Sequence, residues 1–233
     1  EKILLVDGDE LVGAKQNRVL NLSILVRGGV KIPIPVSCVE QGRWNYRSSA
    51  FAAAKRSLFA KARAKKMAHV SQSMRSGSRR SDQSEMWADV SEKLMFCRAD
   101  SETMAMSDAY DATADRLDDY VRAFGAEPHQ VGAVVALEGR VIGIELFDSS
   151  ETFSKYLEKL VRAYAMDAIE TADGAKRHAA KADVEAFIAR IKSMAEERFT
   201  ALGEGEDLRL HGEDVAGAAL VVLGLVAAVG LQR

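Results

Sequence analysis

The sequence predicts one α+β domain, residues 1–233, with a mixed or antiparallel sheet and several amphipathic helices packed against it. Three observations carry this expectation. Strand-like apolar tracts occupy both ends of the chain, tracts at helical spacing fill the middle, and their order departs from the strict β-α-β alternation of a doubly wound sheet. With 233 residues, 48% hydrophobic and 28% charged, the chain can bury a sizeable core. Disorder, collagen and a disulfide-stapled mini-fold are excluded on composition.

Strand signals cluster at 2–6, 18–26 and 30–39, the last two joined by the reversal Arg27-Gly28-Gly29. Pro33 and Pro35 each delete an amide donor, so their strand belongs at an edge or carries a bulge. From about Ala50 the spacing turns helical, with Phe51, Ala54, Leu58 and Ala62 followed by Met67, Val70 and Met74. Residues 71–84, rich in Ser, Arg and Gly, read as a loop or mobile connector before a helix through Met86, Trp87, Val90, Leu94 and Met95. One helix is expected over 103–124, where Gly125 stands as a C-cap. Ser150 is the expected N-cap of a long helix through Phe153, Tyr156, Leu157, Leu160 and Tyr164. A further helix is expected over 183–201, on Val184, Phe187, Ile188, Ile191, Met194 and Phe199. Strands at 208–213, 215–223 and 225–232 complete the reading.

The uncharged stretch from Val215 to Leu231 approaches the length of a membrane span. An internal repeat argues otherwise. Gly132, Ala133, Gly139, Val141 and Leu146 recur, at an offset of 85, as Gly217, Ala218, Gly224, Val226 and Leu231. Glu138-Gly139 is a two-residue turn signal between β-branched residues, so both copies, 131–148 and 215–232, read as hairpins. No membrane partner is expected. Glu1 stands where an initiator Met would, directly before a strand-like run without an export signal, so the N-terminus reads as shortened. Two cysteines, Cys38 and Cys97, far apart in sequence, fit a reducing compartment, and the cytoplasm is the expected location.

The familiar chemical signatures are missing. His69, His129, His178 and His211 are isolated and neither cysteine has a close partner, so no metal site is expected. No phosphate-cradling loop, dinucleotide fingerprint or nucleophile elbow occurs, and no resident cofactor is expected. Asp7-Gly8-Asp9-Glu10 lacks the later ligands of a calcium loop and reads as a polar turn.

The net charge of -2 gives no whole-molecule reason to seek nucleic acid. The charge is nonetheless segregated: residues 41–81 hold eleven Lys or Arg and no acid, whereas 82–119 hold eleven acids and three bases. Facing antiparallel helices, a basic arm for a protein or nucleic-acid partner with Trp44, Tyr46, Phe51 and Phe59 interleaved, and a solvated helix face all account for this.

Two polar concentrations remain, inside strand-like sequence. Asp7, Asp9, Glu10, Lys15, Gln16, Asn17, Arg18 and Asn21 form one, and Ser37, Cys38, Glu40, Gln41, Arg43, Trp44 and Tyr46 the other. Lys15, Arg18 and Arg43 suit anionic oxygens, Trp44 suits a base or nicotinamide-like ring, and Glu10 and Glu40 suit ribose hydroxyls or general acid–base work. Gly13 and Ala14 would let a ligand approach the backbone. An internal salt-bridge network pinning strands to helix is the other reading of the same cluster.

Asp7-Gly8-Asp9-Glu10 through Gly13-Ala14-Lys15-Gln16-Asn17-Arg18, followed by Pro35-Val36-Ser37-Cys38-Val39-Glu40-Gln41-Gly42-Arg43-Trp44, resembles the ARG and rhodanese-phosphatase-superfamily-associated protein domain family, ARG being ADP-ribosylglycohydrolase. The resemblance extends through 83–87, 103–107, 132–147 and the last hairpin. It implies a role near NAD or ADP-ribose metabolism, a nucleotide-type ligand, and association with ADP-ribose-processing proteins, without implying an established reaction. The expectation is a protein that binds, as sensor or enzyme, an ADP-ribose-like, NAD-related or nucleotide-sugar ligand between 7–21 and 37–46. The alternative is an interaction protein or scaffold that uses the basic 41–81 segment.

Overall fold

Along the first 57 residues, Gly, Asn, Ser and Pro interrupt the apolar tracts every few positions, and the chain answers with six short strands. These are β1 (Lys2–Leu5), β2 (Asp9–Gly13), β3 (Arg18–Leu20), β4 (Ile24–Arg27), β5 (Val36–Cys38) and β6 (Phe51–Ser57). Four helices follow, α1 (Ala60–Met74), α2 (Gln83–Cys97), α3 (Met106–Ala112) and α4 (Ala114–Ala123). Then come the hairpin β7 (Gly132–Leu137) and β8 (Arg140–Phe147), the helices α5 (Ser150–Thr171) and α6 (Lys181–Lys192), and the strands β9 (Ala195–Thr200), β10 (Glu206–His211), β11 (Ala216–Val222) and β12 (Leu225–Gln232). This computed structural model describes residues 2–171 and 177–232, so Glu1 and Arg233, the ends of the expected domain, lie outside the described residues. The fold is α+β.

All strand pairs are antiparallel. One sheet runs β7-β8-β12-β11-β10-β9, a second β5-β3-β2-β6, and β1 pairs with β4. Both expected hairpins form, and the repeat is closer than the matched residues alone suggest. Glu138 and Gly139 (φ 49° and 79°) and their counterparts Leu223 and Gly224 (φ 55° and 76°) make the same turn. The register shifts at Val135/Ala136 in one hairpin and at the equivalent Leu220/Val221 in the other. Glu145 faces Gly230, its own counterpart at that offset, so a pseudo-two-fold passes between β8 and β12. The uncharged 215–231 stretch is therefore strand, and no described helix is long and apolar enough to cross a membrane.

Several expected elements differ. Residues 51–57 are strand rather than the start of a helix, since β6 pairs with β2 and the helix waits until Ala60. The helix expected over 103–124 splits at Thr113, whose hydroxyl donates to the carbonyl of Ala109 at 2.8 Å, and it ends at Ala123 with Phe124 extended rather than on Gly125. Ser149, not Ser150, caps α5, its hydroxyl accepting from the Thr152 amide. The helix expected to reach 201 stops at Lys192, and 195–200 pairs with β10. Of the 30–39 strand only Val36–Cys38 survives, at the sheet edge, as the two prolines require.

Helix α1 joins the sheets. Its Lys61, Lys65 and His69 meet Glu92, Asp89 and Glu85 of α2, the antiparallel pairing that the segregated charge suggests. Toward the interior it sends Arg63 to Glu145, which also accepts from Tyr164 at 2.8 Å and Gln232 at 3.4 Å. It also sends Lys66 to Asp7 at 2.8 Å and to the Leu20 carbonyl at 2.9 Å. Burial pushes the Lys66 ammonium below the usual lysine range, and Asp7 opposes that shift. Around these charges, Val19, Leu58, Phe59, Met86, Leu94, Met106 and Tyr110 close the main core. Phe187, Ile188 and Ile191 of α6 cover Val141, Ile144 and Leu231.

Candidate functional site

The two polar tracts do converge, at the β3–β5 side of the four-stranded sheet. β3 pairs with β5, aligning Arg18 with Cys38, and the Val39 amide donates to the Asn17 carbonyl at 3.1 Å. Gln16 donates from Nε2 to the Gln41 carbonyl at 3.4 Å and accepts from Arg18 Nη2 at 2.8 Å. Two further stretches that carry the family resemblance arrive at the same place. Gln83 brackets Cys38, accepting from its amide at 2.8 Å and donating to its carbonyl at 2.9 Å, while Gly42 donates its amide to the Thr103 carbonyl at 2.8 Å.

At the centre, Glu40 and Arg43 grip one another. The guanidinium donates to both carboxylate oxygens at 2.7 Å, and also to the carbonyls of Ala14 at 2.8 Å and Asn45 at 2.9 Å and to Asn17 Oδ1 at 3.2 Å. Glu40 further accepts from the Asn17 amide and the Thr103 hydroxyl, both at 2.9 Å. Glu40 is 0% exposed and Arg43 7%. Burial raises the Glu40 pKa, but the donors from Arg43, Asn17 and Thr103 outweigh it and hold the carboxyl below its usual range. A carboxylate so occupied has no lone pair poised for proton transfer. For these two residues the internal-network reading describes the geometry.

Glu10 is different. It lies on β2 toward α3, accepts from Arg56 Nε at 2.8 Å through one oxygen, and leaves the other buried without a partner. Arg56 reaches on to Asp111 at 3.2 Å. Burial drives the Glu10 pKa up, and Arg56 offsets part of that shift. Of the two carboxylates singled out from sequence, this is the one whose environment favours a held proton.

The remaining side chains form an open rim on two stitched loops. Gly13 (φ 122°) and Ala14 (φ 44°) turn the chain between β2 and β3. The Ala14 carbonyl accepts from the Arg47 amide at 3.0 Å, and the Ala14 amide donates to Ser48 Oγ at 3.1 Å. The close approach expected at Gly13 is taken by the chain itself: a Cβ there would lie 2.5 Å from Ser48 Oγ and 2.6 Å from the Ala50 carbonyl. On this pinned base Trp44 is 65% exposed and Tyr46 69%, and the Lys15 ammonium sits 5.2 Å from the Tyr46 ring. Arg47, Gln41 and Phe51 share the exposed surface of 41–51.

Sequence reasoning missed Thr103, Gln83 and Arg56 as members of this neighbourhood. Thr103 and Gln83 open the 103–107 and 83–87 stretches of the resemblance, which is the signal that reaches them. Among the described residues no group of three or more His, Cys, Asp or Glu could hold a metal.

A family model described as ARPP-1, the ARG and Rhodanese-Phosphatase-superfamily-associated Protein domain, matches residues 1–230. No curated protein and no solved structure matches the chain.

Proposed function

This chain belongs to the ARG and Rhodanese-Phosphatase-superfamily-associated Protein domain family, and from that premise we propose that it is a binding module for a nucleotide-type ligand of the ADP-ribose or NAD class. The ligand lies on the exposed rim of 13–15 and 41–51 rather than in a hollow between them. The observation that carries this reading is the pair of exposed rings, Trp44 and Tyr46, beside Lys15 and Arg47 on loops that the buried Glu40–Arg43 pair holds in place. Stacking on a ring contributes about 1–3 kcal/mol per base and needs no sequence-specific edge, so an adenine or nicotinamide suits Trp44. The cations suit a diphosphate. Glu40 and Arg43 are positioning residues in this scheme.

Titration calorimetry with ADP-ribose, NAD and cyclic derivatives tests the proposal. Binding is expected, with Trp44→Ala weakening it about tenfold or more while leaving the melting temperature unchanged. Absence of heat from every one of them at millimolar concentration overturns it.

The alternative, a macromolecular partner on the basic 41–81 segment, draws on the same rim. Much of that segment's charge is already engaged: Lys61 and Lys65 by α2, Arg63 and Lys66 in the interior, Arg75 by Glu197. Steeply salt-dependent association with RNA or DNA would favour it.

A further inference from the structure

The two edges of the six-stranded sheet are treated differently. β9, at one edge, carries Glu196, Glu197 and Arg198, the kind of charge that discourages a foreign strand from pairing. β7, at the other edge, lies in a tract without a charge from Val131 to Leu137. The Val131 carbonyl accepts from the Phe147 amide at 2.8 Å, so Val131 faces β8. By the alternation of an antiparallel ladder, Gly132 and Val134 face outward. Gln130 caps the Gly132 carbonyl at 2.8 Å. The outward groups of Val134 face the open edge. Phe124, Val131, Val134 and Leu146 are 60%, 42%, 40% and 39% exposed around it. Beneath the edge runs an apolar cavity of about 290 Å³ between Ala133–Leu137 and Tyr120 of α4, Phe124 just past its end, and Leu157 and Val161 of α5.

The internal repeat says what kind of element belongs there. β11 is the counterpart of β7, and its outer edge is covered over Ala216–Val221 by β10, an antiparallel strand of six residues. The equivalent stretch of the other hairpin, Val131–Ala136, has no such cover among the described residues. We infer that a second copy of this chain supplies it: two β7 strands pair antiparallel across a two-fold axis into one continuous twelve-stranded sheet. A two-fold axis perpendicular to the sheet relates an edge strand to an antiparallel copy of itself, and an uncharged strand meets that copy without repulsion. With the axis perpendicular to the sheet, α4 and α5 of both copies lie on the same face and the two grooves adjoin. This surface is separate from the nucleotide rim.

Sedimentation of the full chain from low micromolar to hundred-micromolar concentration tests the inference, with hydrogen exchange at the Val134 amide as a second readout. A reversible particle of twice the chain mass is expected, with the Val134 amide slowing as it forms. Val134→Lys places two ammonium groups near the axis and weakens association at least about tenfold. Leu146→Lys, beside the strand, is expected to act in the same direction and serves if Val134→Lys melts early. A wild type that stays monomeric at the highest concentration, or a dimer indifferent to both variants, overturns the inference. So does a monomer whose Val134 amide is protected only by an added extended apolar peptide, which would assign the edge to a foreign strand.

Discussion

Arg43→Ala asks whether the cation at the centre of the converged tracts serves the fold or a guest. The substitution removes both donors to the Glu40 carboxylate as well as the bonds to Ala14, Asn45 and Asn17. It leaves a fully buried carboxylate with only the Asn17 amide and the Thr103 hydroxyl. Breaking a buried pair from one side costs about 3–5 kcal/mol, because the surviving charge stays desolvated and unmatched. Against a total stability of about 5–15 kcal/mol that is a large fraction. With a urea slope near 3 kcal/mol per molar, at the upper end for small domains, the unfolding midpoint falls by about 1–2 M. Arg43→Lys keeps the charge but loses the two-pronged grip, and should fall between the variant and the wild type. Urea denaturation followed by far-UV circular dichroism measures all three. An Arg43→Ala midpoint within about 0.3 M of the wild type, together with loss of nucleotide binding, would refute the reasoning, since the guanidinium would then be serving a ligand.

Two more outcomes follow from the buried charges. Burial raises the Glu10 pKa, so the folded state holds that proton more tightly than the unfolded chain does. Its contribution is therefore fully present below the unfolded pKa of about 4.3 and is lost as pH rises through the folded value. Glu10→Gln should accordingly flatten that loss, giving a variant more stable relative to wild type above the transition than below it. Parallel pH series of denaturation midpoints check this, and parallel curves for the two proteins would remove the claim. Lys66→Met strands Asp7 in the interior and should cost about 3–5 kcal/mol, whereas Lys66→Met with Asp7→Asn should recover much of it. A double variant no more stable than Lys66→Met, measured by urea unfolding, would show that the two groups are not coupled.

What was legible in the sequence, and what was not, follows from how local each signal is. The hairpins at 131–148 and 215–232 were legible because a positive-φ turn and a period of two are written in adjacent residues. The stripe of α5 was legible for the same reason. β6 was not, because Ala52, Ala53 and Ala54 satisfy a helical spacing as readily as a pleated one, and only pairing with β2 decides between them. β9 was misread because Glu196, Glu197 and Arg198 are strong helix formers and a partner strand ten residues away overrides them. In the candidate site, convergence of the two tracts was readable from the motif. The fate of each cation was not. Arg43 and Glu40 are three apart in a loop, and nothing in that spacing tells that their side chains close on each other while Lys15 and Trp44 stay at the surface.

The place of β12 in its sheet bears on the order in which the protein can be assembled. β8 gains β7 at once, but its other flank is filled by 225–232, which a ribosome makes only after two helices and three more strands. At synthesis rates of about 5–20 residues per second, that interval is about 4–16 s. Throughout it, Ile144 and Leu146 border an unfilled lane, and the Glu145 carboxylate has yet to meet Gln232. A nascent chain of this protein is therefore a natural client for holding chaperones during that window, and slowing translation between residues 147 and 225 should lengthen its dependence on them.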